Sequence, residues 1–526
     1  MALILQASRL PFRWNQITFA YGAYYGEYLW SVELRGWATA LTTFVGIHPP
    51  AYSLLAAALI KLGASPAIWH GISGLFSVAA IPALSAAMAR GLSVDGVSRS
   101  SGAAGAAVVA GAFLMASSPH RNAYGLEVNN YPLLVLATCL QMLAFAWFAG
   151  PMAKEEPSGA SASPQRKHTV LLTLATALCL WTHALAAALP LAQGLSLAAV
   201  GSRRQRLAFV GVLGGVFVLC LPLLPAVLGA AGGDPINLEA GWGPALGGLF
   251  VTLPGRYGWA VLAWGVIVLA GLGLRRILSL PAERRLVPLS WAMHAGVGGL
   301  LVVSLSAAGI ASPWQFPYYL APLPSLLAVA ACALLPEAKS SKGSQRPRRP
   351  SMPLLLTALV AIQAGVQLWE YREAHGVRSQ AADSYGLIAE GIEAWRPGDS
   401  LLLVQFPQFL DDDKDAIDPI YPLLPLWTGF QYVDPRIEGL LPYDPNWGQP
   451  VRFADGRWLY TLTSADPEKL EAITAHVVQS GKRAIVAAYS SDHSPEDTQR
   501  LSQWAQRRSP TGRKGPDHLL WVFESP

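Results

Sequence analysis

The chain has 526 residues, 52% of them hydrophobic and 13% charged, with a mean hydropathy of +0.34. A soluble globular protein carries roughly a quarter charged residues, so the composition excludes one and points to a polytopic membrane protein. The formal net charge of +5 acquires meaning only when it is mapped onto the two sides of a bilayer.

Apolar runs of about 17–25 residues, the length that crosses a bilayer as helix, recur along the chain. Only helices or closed barrels satisfy the backbone in lipid, and the long unalternated runs of Leu, Ala, Val and Gly exclude the barrel. All four cysteines, Cys139, Cys179, Cys220 and Cys332, sit in apolar runs. They read as small buried hydrophobes rather than as a disulfide framework.

The chain opens on Met1–Leu10, an apolar stub too short to span. It reads either as an interfacial segment or as the tail of a first span encoded upstream. Residues 1–68 are expected to form an outer polar loop with interfacial helices. Within them Tyr24-Tyr25-Gly26-Glu27-Tyr28-Leu29-Trp30 leads to His48-Pro49-Pro50-Ala51-Tyr52. Prolines at a helix start are ordinary, since their missing N–H costs nothing there. The histidine before them is not explained by helix starting. A carboxylate such as Glu27 or Glu33 at a membrane surface is ordinarily solvated. Its functional alternative is a general base, which must lie within hydrogen-bond reach of the proton it removes. Ala51–Gly63 is short and holds Lys61, and reads as an interfacial or re-entrant helix.

Residues 69–369 form the predicted transmembrane bundle. Crossings are read at Trp69–Met88, Gly102–Ser118, Tyr131–Ala149, Thr169–Trp181, Leu185–Val200, Ala208–Ala231, Trp259–Leu274, Val287–Gly309, Tyr319–Leu335 and Pro353–Trp369. Basic clusters lie between them, at Arg90/Arg99, Lys154/Arg166/Lys167, Arg203/Arg204/Arg206, Arg275/Arg276/Arg284/Arg285 and Lys339–Arg349. The positive-inside rule places these in the cytoplasm. Parity then puts residues 1–68, Pro119–Asn129, Thr182–Ala184, Gly232–Gly258, Ile310–Tyr318 and everything after Tyr371 outside. Lys154–His168 and Glu337–Pro350 read as flexible cytoplasmic linkers.

Two further polar spots interrupt the outer ends of these helices. In Tyr124-Gly125-Leu126-Glu127-Val128-Asn129-Asn130-Tyr131, helical spacing puts Tyr124, Glu127 and Tyr131 on one face. An ionisable group at the mouth of a span is costly unless it is paired or functional. Thr182-His183 forms the apex of a pair of limbs that look too short for relaxed spans, which would draw the apex into the outer leaflet. An interfacial turn would equally explain that histidine. Arg121, Arg256 and Lys61 are the scarce outside cations. Each serves either as a headgroup anchor or as the partner of a phosphate, for which Arg offers bidentate geometry.

Residues 370–526 turn polar. Helices are expected at Ser379–Trp395, Pro467–Gln479 and Pro495–Arg507, and strands at Asp399–Val404, Trp458–Thr463, Arg483–Ala488 and Leu519–Phe523. The alternation suggests a small extracytoplasmic α/β domain. No Gly-rich phosphate fingerprint occurs in it. Asp411-Asp412-Asp413-Lys414-Asp415 lacks EF-hand spacing and reads as a solvated loop. No internal repeat stands out, which weakens a transporter built from inverted repeats.

These motifs, in this order, resemble the GT-C superfamily of membrane glycosyltransferases, and most nearly the bacterial group related to protein O-mannosyltransferases and to the aminoarabinose transferase of lipid A. That group shows an Asp-Glu pair in a first external loop and then His-Pro-Pro-x-Tyr. Gly26-Glu27 and His48-Pro49-Pro50-Ala51-Tyr52 stand in those places. Tyr-x-x-Glu-x-x-x-Tyr is matched from Tyr124 to Tyr131, and a Thr-His pair by Thr182-His183. A late Arg-Tyr before a Leu/Pro-rich helix is matched in part by Pro317-Tyr318-Tyr319 and the residues after it.

The resemblance implies a GT-C-like bundle of about ten or eleven spans in a bacterial inner membrane. It implies transfer of a hexosyl or pentosyl unit from a polyprenyl-phosphate donor to an acceptor on the outer side, with inversion. Glu27 would be the base, with Glu127 positioning the acceptor or holding a divalent metal. The phosphate would leave against Arg121, Arg256 or His183, and His48, Tyr52, Tyr124, Tyr131 and Tyr318 would line the substrate site. The partners implied are the lipid-linked sugar, membrane lipids and a lipid, glycan or protein acceptor, and no nucleic acid. Three departures stand out. Gly26 replaces the acidic residue, the late arginine is absent, and the arginine that follows the second glutamate is Asn129 or Asn130 here. They leave open a divergent enzyme or a non-catalytic relative that binds lipid-linked sugar or a partner. A lipid or solute transporter is the weaker alternative, because the polar groups gather at one face.

Overall fold

The computed structural model describes residues 66–92, 101–116, 130–150, 162–224, 260–308 and 320–335 of the helical part. In the polar part it describes residues 400–404, 437–440, 451–453, 456–462, 484–489, 513–514 and 518–523, and it adds isolated neighbours, Tyr52 among them. The chain divides into two compact units, one built mainly on Ile68–Glu370 and the other on Tyr371–Pro526.

Nine helices make up the described part of the first unit. They are α1 (Pro66–Leu92), α2 (Ser101–Ala116), α3 (Asn130–Ala149), α4 (Ala162–Thr182), α5 (Ala188–Val200), α6 (Arg203–Cys220), α7 (Ala260–Leu278), α8 (Ala282–Ala307) and α9 (Leu323–Ala331). A 3₁₀ turn, Ala184–Ala187, joins α4 to α5. Among the described residues four helical stretches are long and apolar enough to cross a membrane: Gly71–Leu92, Asn130–Ala149, Arg203–Leu223 and Arg284–Leu305.

Most expected crossings fall on these helices, with one correction. The linker Lys154–His168 does not run to His168, because α4 begins at Ala162. The first limb of the Thr182-His183 pair is therefore a 21-residue helix, longer than its apolar stretch Thr169–Trp181. Arg166 and Lys167 masked this, because they interrupt the apolar run while extending the helix to water. The Pro353–Trp369 crossing and the end of Ala208–Ala231 lie outside the described residues.

The bundle is apolar on its outer face as well as in its core. α6 shows Leu207, Val210, Phe217 and Val218 outward, each more than half exposed. Trp291, Phe145, Phe148, Met88 and Met142 are fully buried. An exposed apolar face this extensive is what a bilayer covers. α5 packs along α8, α3 along α4, α4 along α6, and α7 along α9. The last pair is intimate at Gly273, where any Cβ would land on the Val329 carbonyl.

Basic residues gather at one end of the bundle. Gln205 opens α6 in a capping box with Ser202, and its amide donates to the Ala149 carbonyl at the end of α3 at 3.1 Å. His168, near the start of α4, bonds the Trp147 carbonyl at 3.2 Å. A Cβ on Gly150 would meet the Arg90 guanidinium, and one on Gly91 would meet Val287 and Trp291 of α8. The ends of α1 and α3 thus lie beside the starts of α4, α6 and α8. Arg90, Arg166, Lys167, Arg203, Arg204, Arg206, Arg284 and Arg285 belong to this end. Arg285 also closes the α7–α8 turn by donating twice to the Leu280 carbonyl, at 3.2 and 2.7 Å. The first residue of α3 and the last of α4 lie at the opposite end.

Inside the bundle two amides pair. The Gln141 amide of α3 donates to Gln193 Oε1 of α5 at 2.7 Å, and the Gln193 amide returns the bond at 2.8 Å. Gln141 also donates to Thr176 Oγ1 of α4 at 3.2 Å. All three side chains are buried, so α3, α4 and α5 share one closed polar knot.

Among the described residues of the second unit seven strands form a single mixed sheet in the order β2-β3-β4-β1-β5-β7-β6. They are β1 (Ser400–Val404), β2 (Ile437–Leu440), β3 (Val451–Phe453), β4 (Trp458–Leu462), β5 (Ala484–Tyr489), β6 (Arg513–Lys514) and β7 (His518–Phe523). β1 lies between β4 and β5 and runs parallel to both, with Val404 opposite Leu462 and Ala488. β3 is antiparallel to β4, and β7 to β5. The three shortest strands, β2, β3 and β6, are additions to the strands expected from sequence. The expected helix Ser379–Trp395 lies outside the described residues.

Gln141→Leu should lower stability by about 1–3 kcal/mol, because it leaves the Gln193 amide buried without its partner. Gln141→Leu/Gln193→Leu should cost less than the sum of the single changes. Thermal unfolding in detergent micelles reads both.

Candidate functional site

The end of the bundle opposite the basic residues is built from the start of α3 and the end of α4. α3 opens Asn130-Tyr131-Pro132. The proline sits in the first turn, where its missing N–H costs nothing. Asn130 is fully buried, and its Nδ2 donates to the Thr182 carbonyl at 3.1 Å. One side chain thus ties the first residue of α3 to the last of α4.

His183 follows, with φ −161° and ψ 135°, extended between two helical segments. Its own N–H closes α4 on the Cys179 carbonyl at 3.0 Å, and its carbonyl accepts from Ala186 N–H at 3.0 Å to open the 3₁₀ turn. The side chain completes the cap. Nδ1 accepts from the backbone N–H of Leu185 at 3.1 Å, satisfying a donor that the start of a helix leaves orphaned. Thr182 folds back on α4, its hydroxyl donating to the Leu178 carbonyl at 2.7 Å. Tyr131 lies against the imidazole, with ring centroids 6.2 Å apart and planes inclined at 34°.

The cap decides the histidine's chemistry. A backbone N–H can only donate, so Nδ1 holds the lone pair and the neutral ring carries its proton on Nε2. His183 is then a buried hydrogen-bond donor, suited to an anionic oxygen. It is poorly suited to ligate a metal, because Nδ1 is engaged and Nε2 is protonated. Among the described residues no three His, Cys, Asp or Glu side chains converge as a metal site.

Of the residues expected from sequence, the structure brings Tyr131 and His183 together. Tyr52 is buried and its hydroxyl bonds Ser73 Oγ of α1 at 3.0 Å. Burial pushes the ionisation of that hydroxyl up, outweighing the opposite effect of Ser73, so the group works as a phenol and not as a phenolate. Glu27, His48, Arg121, Tyr124, Glu127, Arg256 and Tyr318 lie outside the described residues.

Sequence reasoning gave no role to Asn130, Gln141, Gln193, His294 or Ser325. A lone amide or imidazole inside an apolar run was the available signal. His294 Nδ1 of α8 lies 2.8 Å from Ser325 Oγ of α9, which in turn contacts Met142 Sδ of α3 at 3.5 Å. This second buried polar group joins three helices.

No protein-family model matches the sequence, and no curated protein matches it in sequence. Solved structures do match in fold. ArnT from Cupriavidus metallidurans bound to undecaprenyl phosphate superposes with a TM-score of 0.52 at 12% identity, over 99% of this chain and 96% of that one. The apo state of the same protein gives 0.49 at 12% identity, again over 99% and 96%. The archaeal oligosaccharyltransferase AglB from Archaeoglobus fulgidus, in complex with an inhibitory peptide and a dolichol-phosphate, gives 0.47 at 11% identity, over 100% of this chain and 74% of that one. The likeness to undecaprenyl-phosphate-bound ArnT shows the fold: this chain has the GT-C fold that the order of its polar motifs implied.

The capping geometry separates two roles of His183. His183→Asn keeps a side-chain oxygen for the Leu185 N–H and should hold stability near that of the unaltered protein. His183→Leu should lose about 0.5–2 kcal/mol, the worth of an N-cap. Thermal unfolding of the two variants checks the difference.

Proposed function

We propose that the protein is an integral-membrane glycosyltransferase that moves a sugar from a polyprenyl-phosphate donor to an acceptor on the outer side of the membrane. The observation that carries this reading is the Asn130–Tyr131–His183 constellation. It lies at the end of the bundle remote from the basic residues, in a fold shared with ArnT bound to undecaprenyl phosphate. The positive-inside rule supports an outer-face location for that end. On the same rule the polar unit after Tyr371 is an extracytoplasmic α/β domain, and the likeness to ArnT favours a bacterial inner membrane.

The chemistry assigned is displacement at the anomeric carbon. An acceptor hydroxyl or amine attacks that carbon and forms the new glycosidic bond. Glu27 takes the acceptor's proton. The bond from the anomeric carbon to the phosphate oxygen breaks, and its electron pair leaves with the polyprenyl phosphate. Attack opposite the leaving group inverts the centre. His183 donates its Nε2 proton as a hydrogen bond to a phosphate oxygen, with Arg121 or Arg256 supplying charge. Tyr131 holds the imidazole from the side, and Glu127 positions the acceptor.

Gly26 favours a second reading, a non-catalytic relative that binds lipid-linked sugar without turnover. Transfer of radiolabelled sugar in membranes separates the two. Glu27→Gln should cut transfer by at least about a hundredfold, as the loss of a general base does, and Glu127→Gln should lower it through the lost positioning of the acceptor. His183→Asn should cut it while folding normally. Undiminished transfer in both glutamate variants would sink the assignment. Binding of a lipid-linked sugar with no release of polyprenyl phosphate from any donor would establish the second reading.

A further inference from the structure

We propose that Asn130 is a positioning residue for the transfer reaction, which fixes the orientation and tautomer of His183 by holding the peptide group that precedes it. The proposal rests on the reading above for its functional meaning, but its geometry stands on described contacts alone.

The peptide plane between Thr182 and His183 is rigid and is held from both sides. Its carbonyl accepts from Asn130 Nδ2 at 3.1 Å, and its N–H donates to the Cys179 carbonyl at 3.0 Å. The next plane is held by Ala186 N–H on the His183 carbonyl at 3.0 Å. With both flanking planes fixed, φ and ψ of His183 are fixed at −161° and 135°. That backbone setting brings the ring to the Leu185 N–H, 3.1 Å from Nδ1, and so puts the ring's proton on Nε2.

Of these restraints the two backbone bonds are ones that any helix end can make. The Asn130 amide is the side-chain contribution, delivered from a helix that begins 52 residues earlier. Its neighbour Tyr131 meets the imidazole from the same turn of α3. One helix start therefore supplies both the clamp and the wall, and a small tilt of α3 against α4 would release the ring. A residue that merely joined two helices would affect stability and leave the tautomer alone.

The test is nuclear magnetic resonance of the full-length protein in micelles with ¹⁵N-labelled histidine, the His183 signal being identified by its loss in His183→Asn. The unaltered protein should show the Nε2–H tautomer. Asn130→Leu, which replaces the amide by an apolar group of similar size, should shift His183 to a mixture of tautomers. In a transfer assay it should lower kcat by roughly five- to tenfold with KM for the lipid donor within about twofold, the loss expected of one hydrogen bond acting through a positioned group. Asn130→Ala gives the same reading if the leucine variant does not fold. An unchanged tautomer in the folded variant overturns the proposal, whatever its transfer rate. A shifted tautomer in a protein that transfers no sugar from any donor leaves the positioning intact and removes the transferase reading instead.

Discussion

Among the described residues several buried polar side chains, Asn130, Gln141 and His294 among them, find their partner on a neighbouring helix. That constraint orders the helical unit more than any single apolar contact does. Lipid and the core are equally apolar, and burial alone does not favour one helix neighbour over another. Hydrogen bonds do. Gln141 is satisfied by Gln193 and Thr176, which ties the register of α3 to α4 and α5. Asn130 can reach the Thr182 carbonyl only if α3 begins level with the end of α4. His294 and Ser325 fix α8 against α9 in the same way. Close backbone approach then completes the packing, as at Gly273 beneath the Val329 carbonyl.

The two ends of the bundle use different chemistry for the same purpose. At the basic end, side chains close helix termini directly. Gln205 caps the start of α6 and the end of α3, and Arg285 closes the turn between α7 and α8 on the Leu280 carbonyl. Cations there also favour the negative ends of α1 and α7 and lie where the aqueous phase begins. At the other end the caps are neutral: an asparagine, a histidine and a threonine.

Much of the helical unit was legible because hydropathy reads lipid exposure, and lipid exposure dominates α6 and the outer face of α1. Reading failed where polarity and helicity part company. Arg166 and Lys167 are helical yet charged, so the start of α4 looked like linker. His183 and Tyr131 were visible as polar interruptions, but their contact depends on α3 starting level with the end of α4, which no local pattern records. Asn130 was noticed only as the place where a related sequence would have arginine. In the polar unit the strands β1, β4, β5 and β7 showed as apolar runs. β2, β3 and β6, of four, three and two residues, carry too few side chains to show a period. The orders of pairing, with β1 between β4 and β5, follow from long-range crossovers that a linear reading does not fix.

The imidazole of His183 is employed twice. One nitrogen finishes a helix, and in the proposed transferase the other would meet the donor phosphate. Selection acting on such a residue cannot trade the two tasks separately. Asparagine, serine or aspartate at this position would cap the turn and lose the imidazole's donor. A cationic side chain would bring charge and leave the turn uncapped. The sequence space open at position 183 is therefore far narrower than that of either an ordinary helix cap or an ordinary phosphate contact, and drift in this chain should be tolerated everywhere around that ring before it is tolerated in it.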